Sequence, residues 1–166
     1  MRKGGMMKRI LVLLGVIILF VACDYAKEGV ELKPDIEVVY MNPIGWYTSL
    51  GDTTAKADIE TIDIVAQNSV DCYLEKVTWE YYDESGNLFF GPDEMAIFSK
   101  INGIVDPACV CTTTIENIQL PLLPVWNNID PGYSARVLLR FIAVDEYFGS
   151  RYDTCTVWYG IYMWPQ

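Results

Sequence analysis

What most constrains this chain is a period of two. Over 77–82, Val77, Trp79 and Tyr81 alternate with Thr78, Glu80 and Tyr82. Over 136–144, Val137, Leu139, Phe141 and Ala143 share one side, with Arg136 and Arg140 on the other. Successive side chains of a strand point to opposite faces, so this alternation predicts strands with one buried face. From Asp35 onward no apolar set repeats at helical spacing. Such a chain must fold into sheets that cover each other's apolar faces.

The turn residues divide the pattern. A first strand is expected over 36–41, followed by a long loop over 42–54 that holds Pro43, Gly45 and Gly51. Strands follow over 57–67 and 71–83. A tight turn at Asp83-Glu84-Ser85-Gly86-Asn87, where Gly86 supplies the positive φ, returns the chain into 88–91. The stretch 92–106 reads as a loop with one short strand or turn around 95–101. Further strands are expected over 108–120, 136–144 and 152–164, with Pro121 and Pro124 ending the first of them and a turn over 127–132. Seven or eight strands at this spacing predict an all-β fold, a single antiparallel β-sandwich over 35–166.

The stretch 77–89, a Trp strand entering an Asp-x-x-Gly hairpin, resembles the middle strands of immunoglobulin-like domains. Pro131-Gly132, then 137–145 and Gly149, is similar to the last hairpin of fibronectin type III-like domains. These resemblances imply an architecture and no particular activity.

The first 22 residues read as a signal peptide. Arg2, Lys3, Lys8 and Arg9 precede an uncharged run of 13 residues over 10–22. That run is too short to span a hydrocarbon core of about 30 Å at about 1.5 Å per residue. It suits the apolar centre of an export signal. Phe20-Val21-Ala22-Cys23 resembles the lipobox of bacterial lipoproteins. The resemblance implies cleavage before Cys23 and lipidation of its thiol, so that acyl chains anchor the protein to a membrane of the bacterial cell envelope, facing the periplasm or the exterior. Residues 23–34 are then the lipidated cysteine and a polar tether. Met6 and Met7 offer alternative starts to Met1, and each leaves this signal intact.

Four further cysteines, Cys72, Cys109, Cys111 and Cys155, point to two disulfides in an exported chain. Cys109 and Cys111, on one expected strand, would stand about 6.5–7 Å apart, too far for a bridge to each other. Cys72 and Cys155 would each take one member of that pair, in either combination, for roughly 3–4 kcal/mol per bridge. Alternation from Trp79 turns Cys72 outward, so a bulge near Glu75-Lys76, or a loop around Cys72, is expected. The rival reading is a Cu(I) or zinc site on Cys-x-Cys, disfavoured by oxidising export and the lack of Cys-x-x-Cys.

After the signal, eight basic residues face 22 acidic ones, a formal charge of −14. A domain so acidic repels phosphate backbones, which argues against nucleic acid as a partner. The chain has no histidine, which excludes catalytic triads and metal sites that need one. No nucleophile elbow, phosphate loop or dinucleotide fingerprint is present, so no enzyme activity and no cofactor are expected.

Carboxylates at Asp52, Asp93, Glu94, Asp130, Asp145, Glu146 and Asp153 show no calcium-loop spacing, and only Asp145 and Asp153 flank one hairpin. The sharpest candidate site is the last strand. With Val157, Tyr159, Ile161 and Met163 inward, Trp158, Tyr162 and Trp164 form an outward row around Gly160. Such a row stacks on sugar rings or marks a protein interface, unless the tether or Trp46 and Tyr47 cover it as a second small core. The expectation is a non-catalytic envelope module whose partner is another envelope protein or, alternatively, a polysaccharide held on that row.

Overall fold

The computed structural model describes residues 32–106, 108, 111–147 and 151–165. The signal, Cys23, nearly all of the tether, Cys109 and the Gly149 turn lie outside the described residues. The chain divides into two units, Met1–Leu32 and Lys33–Gln166, and the described elements belong to the second.

That unit is an all-β sandwich of two sheets. Its strands are β1 (Ile36–Asn42), β2 (Gly45–Thr48), β3 (Lys56–Ala66), β4 (Cys72–Tyr82), β5 (Leu88–Ile101), β6 (Thr112–Pro121), β7 (Ser134–Asp145) and β8 (Tyr152–Met163). A short helix, α1 (Leu123–Asn128), joins β6 to β7. One sheet has the order β1-β3-β6, the other β2-β8-β7-β4-β5. The pairs are antiparallel except for β2, which runs parallel to β8.

The core lies between the sheets. Ile59, Ile62, Ile64 and Ile118 of the smaller sheet meet Leu74, Val77, Leu139 and Phe141 of the larger, all fully buried. The Tyr81 hydroxyl donates to the Pro121 carbonyl at 2.8 Å and so joins β4 to β6 across the interior. At the sandwich edge the Ile36 N–H donates to Asp153 Oδ2 at 2.8 Å, joining β1 to β8.

Bulges keep apolar residues inward where alternation breaks. In β4 the register against both neighbours shifts between Leu74 and Lys76. Cys72 and Leu74 are therefore buried together with Val77 and Trp79, although the two pairs differ in parity. The shift falls where the conflict between Cys72 and Trp79 requires it.

In four places the structure departs from the expected pattern. The loop expected over 42–54 contains β2, too short to display a period, and Gly45 lets it approach β8. A β-carbon on Gly45 would meet the Gly160 carbonyl oxygen at 2.9 Å. Residues 88–101 form one continuous strand rather than a hairpin return and a loop. As an edge strand, β5 has a partner on one side only, which is where a proline such as Pro92 is tolerated. Gly91, at φ 107, takes the bulge there. β6 begins at Thr112, so Cys111 precedes the strand rather than sharing it with Cys109. Finally, α1 occupies 123–128, with Pro124 in its first turn where no amide donor is needed.

The expected disulfides are absent among the described residues, where Cys72, Cys111 and Cys155 are free cysteines. Cys72 is sealed in the core while Cys111 is exposed. Cys155 lies on β8, separated from β4 by the whole of β7. Two strand spacings of about 4.8 Å exceed the reach of a direct Cys72–Cys155 bridge.

Candidate functional site

The outer face of the larger sheet carries the candidate residues. Along β8, Tyr159, Ile161 and Met163 are buried, while Trp158 and Trp164 are 50% and 53% exposed. Gly160, between Trp158 and Tyr162 on the same face, has open space where its β-carbon would lie. Tyr162 and Trp164 meet edge to face at 5.7 Å. Tyr47 of β2 packs on both, at 5.8 Å and 5.6 Å. Trp158 stands apart from this cluster, edge-on to Tyr82 of β4 at 5.5 Å. The guanidinium of Arg136 lies 5.6 Å from the Trp158 ring centroid, within cation–π range.

The pairing of β2, β8 and β7 explains the shape. Gly45 pairs with Gly160, and Gly160 pairs with Arg136 of β7. Two adjacent positions of the face therefore lack side chains. The space left is a groove of about 310 Å³ lined by Ile44, Gly45, Tyr47, Arg136, Gly160 and Tyr162, among others. Its floor is backbone, Tyr47 and Tyr162 supply aromatic surface, and Arg136 supplies one cation. The neighbouring carboxylates are engaged elsewhere. Glu80 accepts from the Tyr82 hydroxyl at 2.7 Å and lies 3.8 Å from Arg140. Glu84 accepts from both the amide and the hydroxyl of Ser134, at 2.8 Å and 2.9 Å.

β2 is held in place from behind. Trp46 points inward, half-buried against the core. Buried Thr48 accepts from the Trp126 indole of α1 at 3.0 Å and donates to Asp52 at 2.9 Å. Asp52 also accepts from the Ser49 amide at 2.7 Å, and this bond, followed by that from Thr48, lowers its pKa. Trp46 and Tyr47 thus separate: one joins the core, and the other extends the outer aromatic row rather than covering it.

Of the expected row, Tyr162 and Trp164 come together, and Trp158 lies beyond Gly160. Alternation alone did not select Tyr47, Tyr82, Arg136 or Gly45, whose places depend on pairing between distant strands. Gly160 did carry a signal, since a glycine inside an aromatic strand marks a close approach or an open face.

The other candidates do not assemble. Asp145 accepts from the Tyr147 amide at 2.7 Å, and Asp153 is taken by the Ile36 amide. Glu94 pairs with Lys76 at 2.7 Å, and Glu146 pairs with Lys100 at 2.8 Å. Among the described residues no three Cys, Asp or Glu side chains are grouped to hold a metal ion. Burial above all raises the Cys72 pKa to about 11 and that of Cys155 to about 12, leaving both as protonated, unreactive thiols. Among the described residues no helix is long and apolar enough to cross a membrane. Compared with known protein families and with curated proteins, the chain matches no family model and no curated protein.

Proposed function

We propose that this protein is a non-catalytic carbohydrate-binding module, tethered to the bacterial envelope through a lipid on Cys23. The observation that carries the binding reading is the groove over Gly45 and Gly160. The exposed Tyr47 ring and the half-buried Tyr162 ring offer stacking surface there, an arginine offers hydrogen-bond donors, and the backbone floor leaves room for a ring. The sequence supports the tether: a basic start, a short apolar run and a lipobox-like end at Cys23. The architecture is immunoglobulin-like on this reading. The order β1-β3-β6 against β2-β8-β7-β4-β5, with the first two strands divided between the sheets and Trp79 buried on β4, supports it.

The test is calorimetric titration of the purified chain against a panel of envelope and other polysaccharides, beside a Trp158→Ala, Trp164→Ala double variant. Both tryptophans are half exposed, so the variant is expected to keep its circular dichroism spectrum and to lose at least tenfold in affinity. Equal affinity in the folded variant would remove these rings from the binding site.

A second reading, docking on an envelope protein, draws on the opposite edge of the same sheet. Phe98 of β5 is 74% exposed and holds φ at 56°, a conformation costly for an aromatic residue. A photo-crosslinker at position 98 that captures one protein in the native envelope would favour this reading. Capture equal to that at an exposed control position would not.

A further inference from the structure

We infer that the groove over Gly45 and Gly160 selects an anionic glycan, a chain of pyranose rings bearing carboxylates; this rests on the carbohydrate reading and adds the charge of the ligand. The chain beyond the signal carries 22 acidic residues against eight basic ones, so its general field repels anions. The one charged side chain that lines the groove is nevertheless Arg136.

Lys76, Lys100 and Arg140 each face a carboxylate within 4 Å, whereas Arg136 forms no ion pair among the described residues. Its contact there is the Trp158 ring, which orients the planar guanidinium without neutralising it. Glu80 of β4 and Glu84 of the turn after it are held by Arg140, Tyr82 and Ser134. A guanidinium kept free in this way presents paired N–H donors, the geometry that a carboxylate matches with two parallel hydrogen bonds.

The spacing fits a substituted ring. Gly160 pairs directly with Arg136 across the β7–β8 ladder, which puts their α-carbons about 4.5–5.5 Å apart. A pyranose lying over Gly160 against Tyr162 would therefore bring a carboxylate on its rim to Arg136.

The experiment titrates the full chain, purified in mild detergent, with polygalacturonate, alginate and hyaluronate. Each polymer is compared with its carboxyl-reduced form, which keeps the linkages and loses the charge. Three proteins are compared: wild type, Arg136→Gln, and Gly160→Val, whose added side chain fills open space in the groove. The inference expects at least one native polymer to bind. Carboxyl reduction and Arg136→Gln should each weaken that binding about tenfold or more, and Gly160→Val should abolish it with an unchanged circular dichroism spectrum.

Equal binding of native and reduced polymers, still lost in Gly160→Val, would overturn the charge selection and leave the carbohydrate reading standing. Binding that survives Gly160→Val would overturn the groove as the site. Binding to none of the six polymers would overturn the anionic inference; the carbohydrate reading would then stand or fall on the wider polysaccharide panel. The acidic balance of the chain beyond the signal strengthens the test, because its general field disfavours nonspecific adsorption of a polyanion.

Discussion

Cys72 shows how much a single residue's environment decides. Its side chain is fully buried, and desolvation, followed by the fields of Asp71, Asp153 and Asp145, raises the thiol from its ordinary 9.0 to about 11. With maleimide at pH 8, exposed Cys111 of the native protein should label rapidly, and Cys72 and Cys155 only on unfolding. Mass spectrometry of the labelled peptides reads this, and native-state labelling of Cys72 would contradict the burial. The same shift sets a pH dependence. Between pH 9 and about 11 the unfolded chain has released a proton that folded Cys72 still holds. Stability is therefore fully present below pH 9 and falls as pH rises through that window. The loss should be on the order of 2 kcal/mol for Cys72. Cys155, raised to about 12 chiefly by burial, adds to it from pH 9, and Tyr81 and Tyr159, also raised by burial, add to it above pH 10. Urea midpoints at three alkaline pH values, with Cys72→Ala flattening part of the slope, would check the assignment.

Among the elements, β4 and β2 were read with unequal success, for different reasons. The conflict between Cys72 and Trp79 was visible because both lie on one strand, and the shift between Leu74 and Lys76 resolves it locally. Deleting Glu75 removes the extra residue of the bulge, so plain alternation should keep Cys72 and Leu74 inward with Val77 and Trp79, and urea unfolding should stay cooperative. Loss of the cooperative transition would show that the bulge itself is required. Glu75→Gln, on an exposed side chain, should change stability by no more than about 0.5 kcal/mol. β2 was invisible because four residues show no period and its partner lies more than a hundred residues away. Gly45→Ala forces a methyl against the Gly160 carbonyl, so it should cost roughly 1–3 kcal/mol and loosen the groove wall. A urea midpoint equal to wild type would show that β2 can shift without loss. β5 was broken at Pro92 because proline reads as a strand breaker until the strand is known to lie at an edge.

For the whole molecule, the imbalance of charge opposes compaction, since like charges are brought closer on folding. Raising sodium chloride from about 0.01 M to about 1 M shortens the screening length from roughly 30 Å to roughly 3 Å. The melting temperature by calorimetry is therefore expected to rise by several degrees. A fall would mean that the surface pairs Lys76–Glu94 and Lys100–Glu146 outweigh the general repulsion. At this scale the division between sequence and fold is sharp. Alternation of apolar and polar side chains is a local property, so the amino-acid order alone determined that the domain after Asp35 is all-β, which face of β7, of β8 and of β4 from Val77 on is buried, and that Trp158 and Trp164 point outward. The order β2-β8-β7-β4-β5 is set by pairing between residues far apart in the chain. Only the tertiary structure could bring Gly45 against Gly160 and Arg136 over Trp158, because a groove consists of side chains missing or present on neighbouring strands, and neighbourhood across a sheet is not written in any one strand.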